Sequence, residues 1–169
     1  MHKFGVVLLR RLMHRIGRSA QALRKFMQVC SRLHLFAYRW TKGMMGGTLG
    51  LRDAQILLLT TTGRKTGKPR TIPLLSIEDA GEPIVIASHG GLDQPPSWWL
   101  NLNTNPEALV QIQNQIFRVL AEQADAERAK YLWPRFVKAF PGYKDYRKRT
   151  NREFPIVLLH PIKKDTSPM

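Results

Sequence analysis

Cysteine is nearly missing: the 169 residues contain one, Cys30. A disulfide framework and a cysteine-based zinc or iron–sulfur site are thereby excluded, and the compartment implied is a reducing one, the cytoplasm. The five histidines (His2, His14, His34, His89, His160) are scattered, with no pair at ligand spacing, so no metal centre is expected. Long apolar runs are missing too. None reaches the eighteen or so residues that a spanning helix needs. Neither GxGxxG nor the P-loop pattern occurs, which removes two large nucleotide-binding classes. The first 52 residues contain no acid at all; Asp53 is the first.

What is present is positive charge. The chain has 27 Lys+Arg against 12 Asp+Glu, a formal net of +15. Such a balance implies an anionic partner: nucleic acid, anionic lipid or a polyanionic cofactor. Eleven of the basic residues, from Lys3 to Arg52, lie in the acid-free segment. There Leu23, Phe26, Met27, Cys30, Leu33, Ala37 and Trp40 recur at spacings of three and four, with Arg24, Lys25, Arg32 and Arg39 on the other side. This amphipathic helix is built either to lie on an anionic membrane or to pack on the domain with its arginines solvated. An Arg-rich, acid-free transit peptide is a third reading, which the aromatic stretch 35–40 disfavours. A glycine-rich connector at 43–50 separates this segment from the rest.

Beyond it, strands and turns alternate quickly. The pattern predicts strands at 55–62, 70–78, 84–88, 108–113, 116–122 and 154–160, and a loop at 89–96. It predicts helices at 97–104 and 124–140, the second capped by Asp125 and kinked or split at Pro134, with a further helical turn or two within 141–152. Six short strands joined mostly by hairpins make an antiparallel sheet that can close into a barrel, an α+β fold. The expected organisation is a basic helical segment at 1–45, a barrel domain at 46–161 and a polar tail at 162–169.

Four constellations carry chemistry. In the first, Thr60 to Arg70, two strands converge on a turn bearing Arg64, Lys65, Lys68 and Arg70, with Thr66 and two glycines. It suits a phosphate or carboxylate, or is simply a solvated basic turn. The second, Ala87-Ser88-His89-Gly90-Gly91, ends a strand where the backbone must bend sharply or admit a ligand closely. In the third, Trp98 and Asn101 share a helical face that lines a pocket or packs the helix. In the fourth, Tyr143 and Tyr146 share a face after Phe140. They offer phenols for proton donation, or are half-buried rings with wet hydroxyls.

Taken in order, L-T-T-T-G-R-K-T-G-K-P-R, A-S-x-G-G, W-x-L-N-L-x-x-N-P, W-P and P-G-Y-x-x-Y-x-x-R-T resemble the deazaflavin-dependent nitroreductase family, from about Gly46 to Pro161. The resemblance implies a split β-barrel like that of the flavin mononucleotide-binding oxidoreductases, with coenzyme F420 as cofactor. Arg64, Lys65, Thr66, Gly67 and Arg70 would hold its phosphate and oligoglutamate tail, with Pro73 beside it. Ala87, Ser88, His89 and Gly90 would flank the deazaflavin ring, with Trp98 and Asn101 on the same wall. Tyr143 and Ser88 would orient or protonate the substrate, and Tyr146 would complete the wall. Phe140 stands where close members have tyrosine, and His89 where lysine or asparagine is usual, which bears on substrate preference.

The implied reaction is hydride transfer from reduced F420 to a quinone or another conjugated, hydrophobic acceptor, with nitro compounds left open as substrates. The basic helix would hold the barrel on the inner face of the cell membrane, where quinones reside. A homodimer is compatible with this organisation. The rivals are the same barrel with flavin mononucleotide, a non-enzymatic lipid- or haem-binding barrel, and a nucleic-acid binder. The last is disfavoured because aromatics do not interleave with the basic run.

Overall fold

The computed structural model describes residues 54–162. The N-terminal amphipathic helix and most of the polar tail lie outside the described residues. Six strands form a closed antiparallel barrel in the order β1-β2-β3-β6-β5-β4. They are β1 (Ala54–Thr62), β2 (Pro69–Asp79), β3 (Glu82–Ile86), β4 (Glu107–Ile112), β5 (Gln115–Gln123) and β6 (Ile156–Pro161). Three helices accompany them: α1 (Ser97–Leu102), α2 (Ala126–Ala139) and α3 (Gly142–Arg147).

β1 reads as an unbroken apolar run because both of its faces are covered. Leu57 and Leu59 join Val85, Val110, Val119, Val157 and Leu159 inside the barrel, where α1 adds Trp98, Trp99 and Leu102. Both tryptophans are therefore core. On the outside, Leu132, Phe136 and Ala139 of α2 recur at spacings of four and three and bury against Ile77, Ile84, Ile86 and Ile156. Asp79, at the end of β2, pairs with Arg128 and Arg135 and ties α2 to the sheet.

Asp125 caps α2 as expected, its carboxylate accepting from the Arg128 N–H at 2.7 Å. Pro134 neither splits nor ends the helix, which runs unbroken to Ala139. The proline lies on the exposed side, so the backbone bond it forfeits faces water rather than core. β3 stops at Ile86, two residues earlier than its apolar run suggests, and the expected loop at 89–96 opens with a short 3-10 turn, His89–Gly91.

The pairing of β2 decides where a ligand can enter. Its whole length from Pro69 to Ile77 pairs with β1, but β3 pairs only with Ser76 to Asp79. Residues 69–75 therefore have one free edge. Residues 71–75, mostly apolar, are only half-buried, although they sit mid-barrel. The barrel is split here, and the turn after β3 and helix α3 stand across the opening.

Candidate functional site

Two hollows meet along this split. The first, about 490 Å³, is lined by Gly63, Arg64, Lys65, Thr66 and Arg70, and by Thr71, Ser97 and Asn101. The second, about 350 Å³, is lined by Pro73, Leu74, Ser88, Gly90, Phe140, Tyr143 and Tyr146, among others. Ile72, His89, Pro96 and Trp98 line both, so they form one continuous cleft with a cationic end and an aromatic end.

The cationic end is the β1–β2 turn. Gly63 N–H donates to Lys68 O at 2.9 Å, and the N–H groups of Thr66 and Gly67 converge on Gly63 O. Gly67 has φ +64°, a conformation that glycine adopts without strain. Asn101 of α1 fixes the turn from inside. It is 4% exposed, donates to the Thr61 hydroxyl at 3.0 Å and accepts from the Arg64 N–H at 3.2 Å. Its amide is thus engaged with protein, and its first role is to hold the turn. Arg64, Lys65, Lys68 and Arg70 form no ion pair with a carboxylate among the described residues. Four exposed cations without counter-charge leave a strong positive field at this end. That field, together with the apolar chamber beside it, fits a cofactor with an anionic tail and a flat ring.

The aromatic end is built by α3 and the close of α2. The rings of Phe140, Tyr143 and Tyr146 make a triangle with centroids 5.4, 5.8 and 5.9 Å apart. Tyr143 is 6% exposed and packs edge-on against Phe136. Its hydroxyl has no hydrogen-bond partner among the described residues, yet no buried side-chain polar atom there lacks one, so the oxygen opens into the cleft. Burial, and secondarily Tyr146, pushes the Tyr143 phenol far above its usual value. Burial also raises Tyr146, against a lowering by Arg149. Both phenols therefore stay protonated near neutrality and act as donors. Phe140, 39% exposed, covers the rim and rests against Gly142, where a Cβ would come within 2.5 Å of its ring.

Between the two ends lies the turn after β3. Ser88 is 8% exposed and lines the aromatic end. His89 has φ +49°, and its Nδ1 lies 2.8 Å from the Gln94 carbonyl. A carbonyl only accepts, so Nδ1 carries the hydrogen, and Nε2 has no partner among the described residues.

The expected site residues thus gather in one cleft, with two exceptions. Gly67 lines a separate hollow on the other side of the turn, with Thr60–Thr62 and Glu107. Its observed share is the bend of the turn. Ala87 is fully buried in the barrel interior and contributes its carbonyl, not a surface, to the turn. Ile72, Leu74, Pro96 and Thr71 were not anticipated. Ile72 and Leu74 lie on the strand predicted at 70–78, and the free edge of β2 opens them to the cleft.

Comparison with known proteins points the same way. The sequence pattern of the F420H(2)-dependent quinone reductase family matches residues 30–161. The F420H(2)-dependent quinone reductase Rv1261c of Mycobacterium tuberculosis is 34% identical over 131 residues, 76% of this chain and 87% of that protein. A solved structure of an F420-H2-dependent reductase (FDR-A) shares 35% identity at a TM-score of 0.58, covering 62% of this chain and 93% of that one. A second solved structure, described only as a domain-swapped dimer, shares 30% identity at a TM-score of 0.60, covering 76% of this chain and 96% of that one. With the family pattern matching 30–161 and a relative 34% identical over most of both chains, this chain belongs to the F420H(2)-dependent quinone reductase family.

Proposed function

We propose that the protein passes a hydride from reduced coenzyme F420 to a quinone or a similar conjugated acceptor. The observation that carries this reading is the continuous cleft, whose one end is cationic, with no ion pair among the described residues, and whose other end is aromatic and apolar. When bound, the deazaflavin supplies the hydride. Arg64, Lys65 and Arg70 would hold its phosphate and oligoglutamate tail. Ser88, His89, Gly90, Trp98 and Pro73 would enclose its ring. Phe140 and Tyr146 would form the apolar seat for the acceptor. Tyr143, protonated and open to the cleft, would donate a hydrogen bond or proton to the acceptor oxygen as it gains charge. Ser88 would assist, directly or through a water.

Titration of the full-length protein with F420 and, in parallel, with flavin mononucleotide, followed by tryptophan fluorescence, tests the cofactor. Trp98 lines the cleft and reports the event. Binding of F420 that Lys65→Ala weakens supports the reading. Binding of flavin alone replaces the cofactor, and binding of neither sinks the reading.

The finer parts of the proposal concern residues 1–45 and the acceptor. That basic segment would seat the barrel domain, 46–161, on an anionic membrane surface. Deleting 1–40 should abolish pelleting with anionic vesicles and spare F420 binding. No described helix is long and apolar enough to span a membrane. Nitroaromatic reduction and a homodimer belong to the same reading, the first tested by turnover and the second by light scattering.

A further inference from the structure

We propose that Arg152 is a positioning residue that holds the turn Ser88–Gly91 in register with the acceptor wall on α3. The inference rests on the cleft's reading as a cofactor and acceptor site. Arg152 lies between α3 and β6, and its guanidinium pairs with no carboxylate among the described residues. It donates instead to four carbonyls. Nη1 reaches Ala87 O and Glu153 O, each at 3.0 Å; Nη2 reaches Ser88 O at 2.9 Å; Nε reaches Leu92 O at 3.2 Å. Three of these acceptors bracket the turn. The Phe154 ring lies 4.9 Å from the guanidinium carbon and fixes its plane from one side. Only a planar, forked cation can serve this many acceptors at once.

Aiming these carbonyls at Arg152 also aims the opposite groups. In a trans peptide, N–H and C=O point in opposite directions. With Ser88 C=O held by Arg152, the His89 N–H points away from it. The N–H groups of His89 and Gly90 have no hydrogen-bond partner among the described residues, and both residues line the cleft. Ser88 is right-handed (φ −75°, ψ −33°), while His89 and Gly90 are left-handed (φ +49° and +65°). That alternation gathers successive N–H groups into a concave donor site. A ring carbonyl oxygen of the cofactor is the chemical group it suits.

The same turn is fastened to α3. Arg149 donates to Gly90 O at 3.4 Å, and its guanidinium carbon lies 5.4 Å from the centre of the Tyr146 ring. A Cβ on Gly91 would lie 2.6 Å from Tyr146 O, so turn and helix meet backbone to backbone. The donors of the turn and the phenols of α3 are thus set relative to one another by one cluster, with Arg152 at its base. Small errors in that relation cost much in a hydride transfer.

The test compares full-length wild type, Arg152→Lys and Arg152→Gln. Hydrogen exchange of the ligand-free proteins should show residues 87–92 exchanging roughly tenfold faster in Arg152→Gln, the loss of one charge-assisted hydrogen bond, with Arg152→Lys between. Peptides from β1, β4 and β5 should be unchanged. With F420, the visible absorbance band of the bound deazaflavin should shift in Arg152→Gln. Hydride transfer should slow roughly 10- to 100-fold with little change in quinone KM. Exchange that rises throughout the barrel, or not at all in 87–92, overturns the proposal. So does faster local exchange with an unaltered spectrum and rate. A wild type that binds no F420 would overturn the functional reading instead, and the exchange data would still decide whether Arg152 orders the turn.

Discussion

The two ends of the cleft work by opposite physics. At the β1–β2 turn the side chains are exposed, the charges pair with no carboxylate among the described residues, and the backbone is shaped by two glycines and Asn101. At α3 the rings are packed edge to edge and the phenols are desolvated. The first end acts at a distance and is weakened by salt. The second acts only in contact, and salt should leave it unaffected. Affinity for an anionic cofactor and reactivity toward an acceptor can therefore be changed separately, which a site with mixed charges and aromatics would not allow.

The largest separation should come from Tyr143→Phe. Removing one oxygen that has no partner among the described residues leaves the packing against Phe136 intact. Turnover should fall about 100-fold, the loss of one proton-donating group, while the F420 dissociation constant and the melting temperature stay near wild type. Because burial holds the phenol protonated, its ionisation should not appear as an alkaline limb of the pH–rate profile below pH 9. A Tyr143→Phe enzyme of full activity would move the proton donor to Ser88 or to water.

The opposite end should respond in the opposite measurement. Lys65→Ala should weaken F420 binding about tenfold, or ~1.4 kcal/mol, the scale of one charge-assisted contact. Turnover at saturating cofactor should be preserved. Raising the salt on wild type should reproduce the effect, and the variant should show a shallower salt dependence. A loss of turnover with unchanged affinity would mean that the turn serves chemistry rather than capture.

Asn101 sits where the comparison is least clean, because it belongs to the barrel interior and shapes the polar end. Asn101→Ala removes the donor to Thr61 and the acceptor of Arg64 N–H together, leaving Thr61, 1% exposed, without that partner. A destabilisation of about 1–3 kcal/mol is expected from an orphaned buried polar group. Weaker F420 binding should accompany it. Chemical denaturation and cofactor titration of the same variant measure both.

The sequence carried different parts of this molecule with different clarity. The six strands and their hairpins were legible because apolar β-branched runs end at Gly, Pro, Asn and Asp, whereas the pairings of β1 with β4 and of β3 with β6 come only from the fold. The cationic turn was legible as well, since glycines and basic residues mark it locally. Three things were not. Pro134 reads as a break, but its missing bond points to water. Ala87 reads as a pocket residue by its place in A-S-x-G-G, but the strand's alternation turns it into the barrel. Arg152 reads as one more surface cation in a chain of 27 basic residues, and only the fold brings the carbonyls of 87, 88 and 92 to it. Local chemistry is visible in order along the chain, whereas convergence from distant segments is not.

The smallest expected effect tests a third region, far from both ends in its chemistry. His160 of β6 lies with Nδ1 2.9 Å from Glu82 of β3 and Nε2 3.0 Å from Glu122 of β5, so it bridges three neighbouring strands. Satisfying both carboxylates needs both ring N–H groups, which is the imidazolium. The hydrogen bond to Glu82, more than opposing burial, raises the His160 pKa above its usual value. A raised folded-state pKa means that the stabilisation is fully present below about pH 6.5, the unfolded value. It fades as pH rises through the folded value. The pairs are partly exposed, so the gain is modest and screened by salt. His160→Gln should lower the melting temperature slightly at pH 5.5 and hardly at all at pH 9, with F420 binding unchanged at both. Equal losses at the two pH values would show that the imidazole contributes packing rather than charge, and that the barrel's closure at β6 is independent of protonation.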